Sequence, residues 1–100
     1  MLRNTLTLLG LLIGLTAFAQ VTVTGVVTDK NNIPISGANI IEKGTTNGTI
    51  TDFDGNYNIT LQSDATLEIS YLGFDTQRIA VNGKTSINVT LAEGVGLGEV

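Results

Sequence analysis

From residue 21 onward, apolar and polar residues alternate with a period of two through most of the chain. Val21, Val23 and, past Gly25, Val27 share one phase, while Thr22, Thr24 and Thr28 share the other. Residues 21–28 therefore read as a strand with one buried face. Residues 38–43 form a second candidate, whose Ile40-Ile41 pair predicts contact on both faces, and residues 49–51 a short third. In residues 57–61, Tyr57, Ile59 and Leu61 fall inward. Residues 66–72 place Leu67, Ile69 and Tyr71 inward against Glu68 and Ser70, and residues 87–91 do the same with Ile87, Val89 and Leu91. Residues 76–81 complete seven candidates. No stretch carries a 3.6-residue apolar period over helical length, and Thr, Val, Ile and Gly dominate.

The breaks between these runs carry turn chemistry. Asp29-Lys30-Asn31-Asn32 is a turn cluster, and Pro34, which lacks an N–H donor, stops the first strand from continuing. Asp52-Phe53-Asp54-Gly55-Asn56 predicts a turn braced by an aspartate side chain bonding the backbone two residues on, with Gly55 at positive φ. Asn82-Gly83 is a second hairpin signal. Short strands at regular spacing predict an all-β fold, a seven-stranded antiparallel Greek-key sandwich.

The first 19 residues follow a different logic. Arg3 supplies a positive start, a leucine-rich run covers residues 6–15, and Ala17-Phe18-Ala19 is the small-x-small pattern that a signal peptidase reads. Residues 1–19 are thus expected to be a helical, cleavable signal peptide, with Gln20 the first mature residue. The run is shorter than the roughly 20 apolar residues of a membrane-crossing helix. No cysteine follows it, which excludes a lipoprotein anchor. From Ala92 the alternation stops, and residues 92–100 read as a linker.

Composition narrows the function by exclusion. With no histidine and no cysteine, Ser-His and Cys-His nucleophile systems and imidazole or thiolate metal sites are absent. Ser36, Ser63, Ser70 and Ser86 have no recognisable partner base. Asp52 and Asp54 are the only close acidic pair, and they stand in a short turn exposed to water, which does not suit acid-base catalysis. They do not begin an EF-hand calcium loop, because glycine comes at the fourth position and Ser63 stands at the twelfth. A net charge of −4, with Lys30, Lys43, Arg78 and Lys84 scattered, gives no basic face for nucleic acid. Three Asn-x-Thr triplets, at Asn47, Asn58 and Asn88, are chance matches in a chain rich in both residues. Tyr57, Tyr71, Phe53 and Phe74 are expected to serve core and turn packing rather than a carbohydrate platform. No enzyme activity and no cofactor are expected.

The order of these features resembles the carboxypeptidase-regulatory-like domain. The resemblance rests on Gly25-x-Val27, Pro34-x-x-Gly37-Ala38, Gly44-Thr45-Thr46-x-Gly48-Thr49, Thr51-Asp52-x-Asp54-Gly55-x-Tyr57 and Tyr71-x-Gly73-Phe74, which together span residues 25–91. It implies a transthyretin-like (prealbumin-like) sandwich. A signal peptide, this domain at once and a tail such as LAEGVGLGEV (residues 91–100) also resemble the start of a SusC/RagA-type TonB-dependent outer-membrane receptor. That resemblance implies an exported, non-catalytic accessory domain on the periplasmic side of the outer membrane, within an importer of glycans or peptides, with residues 92–100 leading toward a TonB-box segment and a plug. Its implied partners are the receptor's own plug and barrel, the TonB system or a surface lipoprotein. The competing reading is a structural, adhesion or peptidase-accessory module of another secreted protein. A free-standing binding protein would need its edge strands protected, to which Lys43 and Arg78 contribute.

Overall fold

The computed structural model describes residues 19–94, and all its regular elements are strands. They are β1 (Gln20–Thr28), β2 (Asn39–Glu42), β3 (Gly48–Ile50), β4 (Asn56–Gln62), β5 (Thr66–Ser70), β6 (Gln77–Ala80) and β7 (Val89–Thr90). One sheet has the order β4-β1-β7 and the other β3-β2-β5-β6. The expected all-β sandwich is therefore present, with its seven strands where the alternation places them. Expected residues 1–18, including Ala17 and the helical signal peptide, lie outside the described residues.

The core lies between the two sheets and is filled by the inward phase of each strand. Val23, Val27, Ile40, Leu61, Leu67, Ile69, Val81 and Leu91 are almost completely buried. Tyr57 joins them and donates its hydroxyl to the Ile87 carbonyl at 2.6 Å. Ionisation would leave a charge in the apolar interior, and burial pushes the Tyr57 phenol up from 10.0 to about 12. Gly25, in the middle of β1, faces the same spot: a Cβ there would overlap the Ile87 carbonyl oxygen. The small residue lets the segment before β7 pass close against β1.

That segment departs from the expected all-antiparallel arrangement, because β7 runs parallel to β1, with Val27 opposite Val89 and Thr28 opposite Thr90. The physical reason lies in the turn at Asn82-Gly83. Asn82 (φ 51°) and Gly83 (φ 73°) do form a tight turn, closed by Lys84 N–H donating to the Val81 carbonyl at 3.0 Å. The chain leaving it nevertheless does not pair back onto β6. Thr24 N–H donates to Thr85 and Ile87 N–H donates to Thr24, so the chain climbs alongside β1 in the other sheet. The Asp52–Asn56 turn likewise carries the chain from one sheet to the other, since β3 and β4 are not sheet partners.

These connections give the sandwich two distinct ends. β1, β3, β5 and β7 finish, and β2, β4 and β6 begin, at one end. We call it the exit end, because the described chain leaves there at Gly94. The far end holds Gln20 and the connections at residues 43–47, 63–65 and 81–85. A linker is expected from Ala92, yet backbone pairing continues past it. Asp75 N–H donates to Ala92 at 2.9 Å and Gly94 N–H to Gly73 at 2.9 Å, while Glu93 bridges Phe74.

Candidate functional site

Two loops of the same design frame the exit end. In the first, Asp29 Oδ1 accepts from Asn31 N–H at 2.8 Å and from Ile33 N–H at 3.0 Å, and Asp29 N–H donates to the Ile33 carbonyl. In the second, Asp52 Oδ1 accepts from Asp54 N–H and Asn56 N–H, both at 2.9 Å, and Asp52 N–H donates to the Asn56 carbonyl. The fourth residue of each loop takes a positive φ, 65° at Asn32 and 77° at Gly55. A carboxylate that accepts two backbone N–H groups fixes a five-residue loop without help from the core. The sequence signal at Asp52 therefore has a twin at Asp29, which the glycine-centred turn rule misses because Asn32 takes the glycine's place.

Thr51 ties the second loop to the segment that runs from the first loop into β2. Its hydroxyl donates to the Ile35 carbonyl at 2.6 Å and accepts from Ala38 N–H at 2.9 Å. It is the buried polar residue among those described. Gly55 is pressed into the same junction, where a Cβ would sit 2.6 Å from the Val27 carbonyl oxygen. A third loop begins with the turn Tyr71-Leu72-Gly73-Phe74, closed by Phe74 N–H donating to Tyr71 at 3.0 Å, with Gly73 at φ 91°.

What these rigid loops display is apolar. Large exposed hydrophobic side chains among the described residues are Ile33, Ile50, Phe53, Tyr71 and Leu72. All five lie on the exit-end loops or on the last residue of β3 beside them. Phe53 and Leu72 are each 93 % exposed. The expectation that the aromatics serve core and turn packing holds for Tyr57, for Phe74 and for Tyr71, whose ring centroid lies 6.0 Å from that of Phe74, and fails for Phe53. Tyr57 is in the core and Phe74 packs against it, Tyr71 is exposed but stays beside Phe74, and Phe53 projects from a turn tip. Tyr71 leaves the inward phase because β5 ends at Ser70 and the turn begins there. Around these side chains stand Asp29, Asp52, Asp54, Asp75 and Glu93, against the single cation Lys30.

The other sequence-predicted positions are not gathered with this end. Asn82 and Gly83 form their turn at the far end. Ala19 and Gln20 are exposed at the start of β1, where the Ala19 carbonyl accepts from Ser63 N–H at 3.0 Å. A shallow polar groove crosses the outer face of the three-stranded sheet, lined by Thr24, Asn56, Asn58, Ser86 and Asn88, with Asp52 at its edge. One carboxylate among amides and hydroxyls supplies neither an acid-base pair nor a charge cluster.

Comparison with known proteins places these features in context. A family model described as CarboxypepD_reg-like domain matches residues 23–100. Two TonB-dependent receptors of Formosa agariphila are similar to the chain. One is 46 % identical over 84 residues, covering 82 % of this chain and 8 % of the receptor. The other is 47 % identical over 93 residues, covering 90 % and 9 %. The TonB-dependent receptor SusC of Bacteroides thetaiotaomicron is 39 % identical over 79 residues, covering 78 % of this chain and 8 % of SusC. The chain thus spans less than a tenth of the length of these relatives. Among solved structures, a chain of a type II cohesin–X-dockerin complex from Acetivibrio cellulolyticus superposes with a TM-score of 0.61 at 22 % identity. The match covers 74 % of this chain and 58 % of that one, and it is a likeness of fold.

Proposed function

The chain belongs to the CarboxypepD_reg-like domain family, and from that premise we propose that it is the N-terminal accessory domain of a TonB-dependent outer-membrane importer. The observation that carries this reading is the similarity to three such receptors at 39–47 % identity across most of the chain. In this reading residues 1–19 are removed on export after Ala19, and the sandwich begins at Gln20. The domain then stands on the periplasmic side of the outer membrane and works by protein contacts rather than by catalysis. Its partners are the plug and barrel of the same receptor, with the TonB system or a surface lipoprotein reached through them. The cargo, a glycan or a peptide, would be handled by parts of the receptor other than this domain. The exit-end loops support a contact role, because they are fixed by backbone bonds yet present side chains that do nothing for the core.

The test is to read the native gene past codon 100 and to weigh the mature protein. A continuation holding a plug and a long series of amphipathic strands, with an N-terminus at Gln20, is the expected result. A reading frame that stops near residue 100, or that continues into a zinc-ligand motif or repeated sandwiches, overturns the receptor reading.

A further inference from the structure

Exposed hydrophobic residues scattered singly over a surface are ordinary. Here they are not scattered. Ile33, Phe53, Tyr71 and Leu72 all stand at the end of the sandwich from which the chain departs, and Ile50 lies on the outer face of β3 next to it. Two of them occupy the second position of tight turns, Phe53 in Asp52–Gly55 and Leu72 in Tyr71–Phe74, where most residue types are tolerated and a polar residue would serve the turn as well. The departure point is strapped to this same surface by Gly94 N–H donating to Gly73, beside Leu72. The chain spans only 8–9 % of the receptors it resembles, so in the receptor reading most of the polypeptide lies beyond it. A folded part tethered at this end meets it as an intramolecular partner, at a higher effective concentration than a free protein would reach. Under those conditions a modest patch suffices for a stable contact.

We propose that the exit end, with Phe53 and Leu72 as its anchors, is the docking surface for the folded part of the same polypeptide that follows this domain. The inference rests on the receptor reading above and adds to it the surface and the chemistry of its partner. The loops of this end carry five carboxylates, Asp29, Asp52, Asp54, Asp75 and Glu93, against the one cation Lys30. The complementary surface is therefore apolar at its centre and ringed by lysine or arginine. The same acidic rim opposes docking on an anionic lipid surface. The far end has no large exposed hydrophobic residue among those described, and its charges are balanced, Lys43 and Lys84 against Glu42 and Asp64.

The test uses the full-length protein as its gene encodes it. This chain holds no cysteine, so Leu72→Cys, Phe53→Cys and, at the far end, Lys84→Cys each introduce one reporter at an exposed position. Maleimide labelling of each site is followed by peptide mass spectrometry in the purified protein, first folded and then in urea. Docking predicts labelling at least tenfold slower in the folded protein at Leu72→Cys and Phe53→Cys, with Lys84→Cys nearly unchanged. The protection should weaken near 1 M salt, where the Debye length falls to about 3 Å. Amide exchange in the unsubstituted protein gives a second measurement, with residues 71–74 expected to be slowed relative to residues 43–47. Equal labelling at Leu72→Cys and Lys84→Cys overturns the inference while leaving the receptor reading intact. Protection that disappears on dilution assigns the surface to a second copy, and protection that appears only with anionic vesicles assigns it to a membrane; either result overturns it. A mature protein ending near residue 100 removes the receptor reading itself, and its mass reveals that before any label is added.

Discussion

The two ends of this sandwich use the same turn chemistry for different purposes. Gly55 at the exit end and Gly83 at the far end have nearly the same φ, 77° and 73°. A Cβ on Gly83 would meet nothing within 4 Å, whereas one on Gly55 would press on the Val27 carbonyl. Thr51 and Thr45 likewise each bridge two backbone groups. Thr51 does so in the buried junction of the second exit-end loop with the segment entering β2, and Thr45 in the exposed connection after β2, donating to the Glu42 carbonyl at 2.8 Å and accepting from Asn47 N–H at 3.0 Å. The far end is a set of polar turns joined by backbone bonds, such as Gly83 N–H to the Ser63 carbonyl. The exit end is a packed assembly of three loops with apolar side chains on its outside. A loop's conformation and its display are thus set by different residues, and only the first concerns stability.

The glycine pair separates the two contributions most sharply. Gly83→Ala should cost about 1 kcal/mol, the backbone penalty of positive φ alone. Gly55→Ala should cost roughly 3 kcal/mol, because steric overlap adds to that penalty. Urea unfolding midpoints of the two variants measure the difference, and equal losses would mean that the exit-end loops yield without resistance. Next in size is the threonine pair. Thr51→Val leaves a buried N–H and a buried carbonyl without partners and should lose about 2 kcal/mol. Thr45→Val exposes its freed groups to water and should stay within about 0.5 kcal/mol of the parent.

Tyr57 offers a comparison by pH, since it belongs to the interior that both ends share. Its phenol titrates near 10.0 when unfolded and at about 12 when folded. Between those values the unfolded chain gives up its proton first, so stability should fall as pH rises from about 10 to about 12, by on the order of 2 kcal/mol. Tyr57→Phe should be less stable at neutral pH, having lost the bond to Ile87, but its stability should no longer carry this alkaline step. Chemical denaturation at pH 8 and at pH 11 would reveal whether the step is present. The smallest effect is expected at Leu72→Ser, which should move the unfolding midpoint of the sandwich by no more than about 0.5 kcal/mol. A larger loss would mean that Leu72 contributes to the fold, and the separation of display from stability would fail at that residue.

The strands were legible because each exposes one face, so the period of two survives in the sequence from Val21 to Leu91. Sheet membership was not legible to the same degree. Asn82-Gly83 signals a tight turn correctly, but a turn dipeptide encodes local geometry and not the partner found afterwards. That partner is set by long-range contact along β1, where Gly25 admits the Ile87 backbone. Tyr71 shows a second limit, since alternation continues in the text one residue beyond the end of the strand. The exit-end surface was the least visible. Phe53 looks like a core residue by composition, and only the turn that carries it turns it outward, whereas Leu72 already shares the outward phase of Glu68 and Ser70.

The parallel pairing of β1 with β7 also dictates when the molecule can fold. Val27 and Thr28 find their partners in Val89 and Thr90, and Leu91 N–H donates to the Thr28 carbonyl at 2.8 Å. The first strand made thus awaits the last, and closing so long a loop is the slow step of such topologies. A chain interrupted before residue 89 would hold β1 with one edge unpaired and the core open on that side, in a state prone to pairing with its neighbours. The chain must therefore be available through Leu91 before β1 has both edges paired.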